Sequence, residues 1–254
     1  MIKKISGIAV IFIWIFSGLF TSLLLAWLLL KPFDFGYKYW YDILGTGQVI
    51  SKYAAQNRYG KQSFIYTNKQ EHERLFGEVM YQVHHQGKGL DEIVYYSPDG
   101  QELGTLLRPA EVEHLQDVAN ILNIMFNASY VAVFIFLAFS GWLIYKKKIP
   151  RLRKTALYLF ITVIVLTVLV FILGPEKVFY QLHIWFFPAN HQWFFYYQDS
   201  LMVILMHGTT LFGMIAIIWL LLSLLIYLLF CISCYKIQFS KLLRENKSCS
   251  PLKK

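Results

Sequence analysis

Two stretches of this 254-residue chain carry side chains able to move a proton. In "AEVEHLQDVANIL" (110–122), Glu111, Glu113, His114 and Asp117 fall within seven residues. In "FYQLHIWFFPANHQWFFYYQDSL" (179–201), His183 stands inside the apolar "LHIWFF", where nothing obvious demands polarity. An imidazole titrates near about 6.5, so either histidine can take or give a proton at neutral pH. Asp117 lies one helical turn beyond His114, close enough to orient or charge-stabilise its ring. An acid-rich stretch is ordinarily a solvated helix face, and a lone loop histidine is ordinarily structural. Two of them, each flanked by apolar membrane-type sequence, suggest a shared site.

The first stretch reads as a helix. Pro109 fits an opening turn, where its missing N–H costs little, and Glu111 and Glu113 lie near the positive end of the dipole. Val112, Leu115, Val118, Ala119 and Leu122 recur near a period of 3.6 and form the buried stripe. Glu113 and Asp117 fall opposite it, with His114 at its edge. The helix is expected to run straight into a membrane span.

Composition puts the chain in the membrane class: 57% hydrophobic and 18% aromatic residues, with a mean hydropathy of +0.47. The first apolar run, residues 6–30, is charge-free and longer than the roughly 7–15 apolar residues of a cleaved signal. It reads as an uncleaved anchor. Further spans are expected at 128–145, 155–174 and 210–233, with 201–209 left at the interface because His207 and Gly208 divide the last apolar stretch. "KKKIPRLRK" (146–154) holds six Lys/Arg and no acid, and both terminal segments are basic. Of 15 acidic residues, 14 lie in 32–127 and 175–209. This segregation places both termini in the cytoplasm and both large loops outside. The net charge of +9 then reflects topology and anionic lipid headgroups, not nucleic acid.

The expected fold is therefore membrane α-helical, with four transmembrane helices and a small extracytoplasmic α+β domain between the first and second. By residue, the reading gives 1–31 as cytoplasmic N-terminus and first span, and 32–127 as the outer domain. Then come 128–174 as a transmembrane hairpin, 175–209 as an outer aromatic loop, and 210–254 as fourth span and basic tail. In the outer domain, the aromatics of "KPFDFGYKYWYDILG" suit the membrane–water interface. "QEHERLFGEVMYQVHHQGKGL" (70–90) is helical by period, and "EIVYYSPDGQELGTLL" reads as two strands about a Pro-Asp-Gly turn. Cys231, Cys234 and Cys249 all fall at or beyond the cytoplasmic end of the last span, so the outer domain has no disulfide. The "CISC" pair is read as structural or palmitoylated ahead of redox or metal-binding.

"EHLQDV" (113–118) and "FYQLHIWFFPANHQWFFYYQDSL" (179–201), set within four spans, resemble the lipoprotein intramolecular transacylase family. The shared pattern is an acidic-His-x-x-Asp-Val helix before span two and an aromatic His-x-x-Phe-Phe-Pro loop after span three. The resemblance implies a bacterial plasma-membrane acyltransferase of the cell envelope that modifies lipoproteins. It would move the sn-2 acyl chain of a diacylglyceryl-cysteine onto that cysteine's α-amine, leaving a lyso-form lipoprotein. The family's two functional histidines fall on His114 and His183. The Gly-Thr-Thr after His207 and the His84–His85 pair depart from the family pattern.

Such a transfer needs a base for the amine proton and a donor for the tetrahedral oxyanion. An α-amine of pKa about 7.7–8.0 suits an imidazole partner. No enzyme nucleophile is required, and without external cysteine a thioester on that face is excluded. Ser63, Ser97 and Ser200 lie in no nucleophile-elbow context. One histidine is expected as base and the other as the group polarising the ester, in either order. Asp117 would orient His114, Glu113 would be an auxiliary acid, and Asn190, Trp193 and Asp199 would shape the second loop. No cofactor and no metal are expected, since none of the seven histidines has a metalloprotease-type spacing. The substrate lipoprotein and membrane lipids are the expected partners. Transport is disfavoured by spans free of Asp, Glu, Lys and Arg; the rival reading is a non-enzymatic envelope scaffold.

Overall fold

The computed structural model describes residues 2–150 and 152–248, so Arg151 of the basic loop and Cys249 lie outside the described residues. Nine α-helices are described: α1 (Ile2–Leu30), α2 (Tyr37–Ile43), α3 (Thr46–Ala54), α4 (Lys69–His84), α5 (Pro109–Tyr145), α6 (Leu152–Leu173), α7 (Pro175–Phe186), α8 (Leu201–Leu205) and α9 (Thr209–Ser248). By length and composition, three helical stretches can cross a membrane: 9–43, 109–145 and 209–244. A fourth candidate is the pair 161–173 and 176–186, bent by 96° where Gly174 adopts φ +88°. The chain divides into two compact units: a span unit (1–27, 127–178 and 220–254) and a site unit (28–126 and 179–219).

In the span unit the apolar helices satisfy their backbone internally, as hydrocarbon requires. Ser17, Thr21 and Ser22 donate their hydroxyls to carbonyls one turn back on α1, and Trp14 Nε1 donates to Ser140 Oγ at 2.8 Å. Trp14, Phe136, Leu143, Ile149, Tyr227, Cys231 and Cys234 form the core. Both of these cysteines are buried and free, which suits a packing role for the "CISC" pair. Gln238 Oε1 accepts from the Ile149 backbone N–H at 2.9 Å, capping the basic turn. At Gly18 a Cβ would stand 2.9 Å from both Phe136 Cε2 and Tyr227 Cε2. Only hydrogen lets the helix approach those rings.

The site unit contains an antiparallel hairpin, β1 (Val94–Tyr96) and β2 (Glu102–Thr105), with a bulge at Tyr95/Tyr96. Arg74 of α4 donates to Glu71 and to the Val94 carbonyl, tying helix to hairpin. The aromatics of residues 31–45 are not all interfacial. Phe35, Tyr37 and Tyr41 are core, whereas Phe33 and Tyr39 are exposed, because the i,i+4 spacing of 37 and 41 puts them on one face of α2. Tyr37 stacks on Phe76 with ring centroids 4.0 Å apart and donates to the Leu205 carbonyl at 2.8 Å. His72 is sandwiched between Tyr41 Oη, 2.9 Å from Nδ1, and Thr67 Oγ1, 2.6 Å from Nε2. Burial lowers it to about 4, so it stays neutral.

Leu201, Met202, Ile204 and Leu205 of α8 are buried: four of its five apolar residues pack in the core, and the helix lies against α3. Residues 179–219 belong to the same compact unit as 28–126.

The start of α5 explains part of that union. Arg108 N–H donates to Glu111 Oε2 at 2.7 Å, the reciprocal half of a capping box with Pro109 opening the helix. Ser200 Oγ donates to Glu111 Oε1 and accepts from Val203 N–H at 3.0 Å, capping α8. One carboxyl thus joins two helix N-termini across 89 residues of sequence. Glu111 is 0% exposed. Burial pushes its pKa up, while the bonds from Ser200 and Arg108 pull it down.

Ser200→Ala leaves a buried carboxyl short of one donor and should cost about 1–3 kcal/mol of stability, read as a lower melting temperature in detergent. Gly18→Val should destabilise by about 1–3 kcal/mol through overpacking against Phe136 and Tyr227, and Gly18→Ala by less.

Candidate active site

His114 sits one turn into α5 and is 9% exposed, carried inward by the stripe that buries Leu115 and Ala119. His183 is on α7. The expected loop is helical from Pro175 to Phe186, since Gly174 lets the chain turn and Val178, Leu182 and Phe186 recur at helical spacing. The two imidazoles face one another with centroids 6.3 Å apart and planes 25° from parallel. Phe187 packs against both, 4.8 Å from His114 and 5.0 Å from His183. Phe195 closes on His114 at 6.0 Å, and Phe179 and Trp193 flank His183 at 4.0 and 5.1 Å.

Aromatic enclosure sets the electrostatics. Both histidines lie outside the charge-free apolar segments read from the sequence as spans, 128–145 and 155–174. Burial, with a smaller contribution from His183, lowers His114 to about 4 against the opposing pull of Asp117. His183 is lowered by burial and partly restored by its bond to the Phe179 backbone. Both rings are neutral at pH 7. His183 Nδ1 lies 2.8 Å from the Phe179 carbonyl, which can only accept, so Nδ1 carries the proton and Nε2 a lone pair. His114 Nδ1 is buried with no hydrogen-bond partner among the described residues.

The supporting residues divide. The Asp117 carboxylate does not hydrogen-bond His114; its Oδ2 is 2.7 Å from His191 Nδ1, because Asp117 falls on the side of α5 that meets the 188–192 turn. Glu113 Oε1 is 3.2 Å from His191 Nε2, so this side chain too is engaged away from His114. Trp193 is at the site, against His183. Asn190 is exposed in the turn. Asp199 faces Arg58 Nη1 at 3.5 Å, on a part-exposed ion pair rather than at the histidines. Arg108 lies over the Tyr59 ring at 3.9 Å and near Phe195 at 5.7 Å, supporting the wall behind His114. Ser63 bonds Tyr95 Oη at 2.8 Å and Ser97 donates to Asp99 at 2.6 Å.

Sequence reasoning gave His191, Phe187 and Phe195 no place at the site, and read Glu111 only as an acid at the start of the helix. A signal for His191 was present: two acids flank His114 on one helix side, and His191 is the one other basic side chain of 179–201. Among the described residues no group of three or more His, Cys, Asp or Glu is arranged to hold a metal ion.

The profile of the family described as lipoprotein intramolecular transacylase Lit matches residues 8–208. No curated protein matches the chain. Solved structures of the membrane integral lipoprotein intramolecular transacylase Lit from Bacillus cereus share its fold. One is 21% identical with a TM-score of 0.62, covering 94% of this chain and 98% of the other. A histidine-to-arginine variant of the same protein is 19% identical with a TM-score of 0.63, covering 97% and 96%. At that identity the likeness concerns fold alone, but the profile spans most of the sequence, both histidine motifs included. This chain belongs to the lipoprotein intramolecular transacylase family.

Proposed function

We propose that the chain transfers the sn-2 acyl group of a lipoprotein's diacylglyceryl-cysteine to the α-amine of the same cysteine. Membership of the family makes it a membrane-integral acyltransferase; the facing pair of neutral imidazoles, His114 and His183, carries the finer reading. The deprotonated α-amine attacks the ester carbonyl, forming the C–N bond. His183 Nε2, the lone-pair nitrogen left by the bond to Phe179, accepts the amine proton. The tetrahedral oxyanion takes a hydrogen bond from His114 N–H. Collapse breaks the C–O bond, and His183 returns its proton to the departing sn-2 oxygen. Atoms and charge balance without an enzyme nucleophile.

His114 is assigned as donor because its Nδ1 is enclosed without a partner. A buried acceptor left unpaired is tolerated better than a buried donor, so the proton belongs on Nε2. Burial keeps both rings neutral at rest, so the rate waits on the amine. Donor and acceptor share one molecule, and holding them in attack geometry supplies much of the barrier reduction. The segregation of acidic and basic segments supports a bacterial plasma-membrane setting, with both termini cytoplasmic and the histidine pair on the outer face.

Mass spectrometry of lipoprotein N-termini from cells with and without the protein tests the reading: lyso-form termini should depend on it, and identical termini would discard it. In purified protein, His183→Ala should lower kcat by about 10²–10⁴-fold, with no rescue by glutamine. His114→Ala should lower it by about 10²–10³-fold, with partial recovery in His114→Gln, which keeps an N–H donor. The acid limb of the pH profile should follow the amine, near about 8, rather than either histidine.

A further inference from the structure

His191 is absorbed by neither histidine's role, yet it is held by two carboxylates. Its backbone N–H donates to the Pro188 carbonyl at 3.1 Å, closing a turn after α7. From that turn the ring reaches α5, with Nδ1 2.7 Å from Asp117 Oδ2 and Nε2 3.2 Å from Glu113 Oε1. Nδ1 donates to the Asp117 carboxylate, and Nε2 lies within ion-pair distance of the Glu113 carboxylate; two acceptor-only anions about one ring favour the imidazolium.

We propose that His191 is a positioning residue for the acyl transfer: as an imidazolium between Glu113 and Asp117, it fastens residues 187–195 to α5 and matches the two carboxylates that flank His114. The inference rests on the transacylase reading above. The fastened segment carries Phe187 and Phe195, which enclose His114, and Trp193, which encloses His183. Releasing its apex frees the walls of the site together. Electrostatics acts in the same direction. Glu113 and Asp117 stand at i−1 and i+3 from His114, and Asp117 unmatched would favour protonation of that ring. Matched by His191, it leaves His114 to its apolar surroundings.

Among the described residues, the charged groups facing His191 are Glu113 and Asp117, both from α5. The hydrogen bond with Asp117, followed by the charges of Asp117 and Glu113, raises the His191 pKa. A raised pKa makes the clamp complete below the ordinary imidazole value near about 6.5 and loses it as pH rises through the folded-state value. The clamp therefore supplies an alkaline limb, while the substrate amine supplies the acid one.

The test uses full-length protein in lipid nanodiscs with a synthetic diacylglyceryl-cysteine lipopeptide, the N-acyl product being read by mass spectrometry between pH 6 and 9. His191→Ala should cut kcat at neutral pH by about 10- to 100-fold and lack the alkaline limb. His191→Arg keeps a cation with several donors at every pH, and should regain most of the rate with the limb moved beyond the range. Wild-type rate and an unchanged pH profile in His191→Ala would overturn the clamp alone. So would a folded His191→Arg no better than alanine. No product from the wild type at any pH would overturn the transacylase reading, and the clamp with it.

Discussion

Burial keeps an imidazole neutral only while no unmatched carboxylate stands beside it, and His114 has Glu113 and Asp117 as neighbours on its own helix. That constraint organises the site unit. An enclosure of Phe187, Phe195, Trp193 and Phe179 strips water from the two rings, and His191 occupies the two acids. A third acid, Glu111, is buried one turn earlier and satisfied by Ser200 and the Arg108 backbone. Three carboxylates within seven residues are each given a partner that is not His114. The ring in their midst is left to the apolar side of its helix.

The span unit meets a different demand with similar economy. The hydroxyls of Ser17, Thr21 and Ser22 bond carbonyls of their own helix, and the Trp14 N–H finds Ser140. These four polar side chains of α1 are paired within the protein and need no partner in lipid. Close packing at Gly18 then supplies contact where no hydrophobic driving force between helices exists.

What the sequence made legible was local. The period of 110–122, the apolar spans, the Pro-Asp-Gly hairpin and the two motif histidines all follow from residues close in the chain. The α5 cap was half legible: Pro109 and Glu111 announced a first turn, but Ser200 lies 89 residues away. His191 reaches Asp117 across 74, so Asp117 was assigned to the nearer histidine. The same limit explains α8, whose short apolar run is equally compatible with an interface or a core until its neighbours are known. The aromatics around Tyr37 and Tyr41 were misplaced because a ring that suits a membrane surface also suits a packed core.

The place of His183 within α7 carries a further meaning. It lies in the last turn of a 12-residue helix, where aligned peptide dipoles leave partial negative charge. The aromatic walls disfavour a proton on this ring at rest. In the proposed transfer the helix end would favour the proton once it arrives, without a counter-ion that would charge the ring beforehand. A helix of three turns would then offer the migrating proton a transient berth, deep enough to receive it and shallow enough to return it to the departing oxygen.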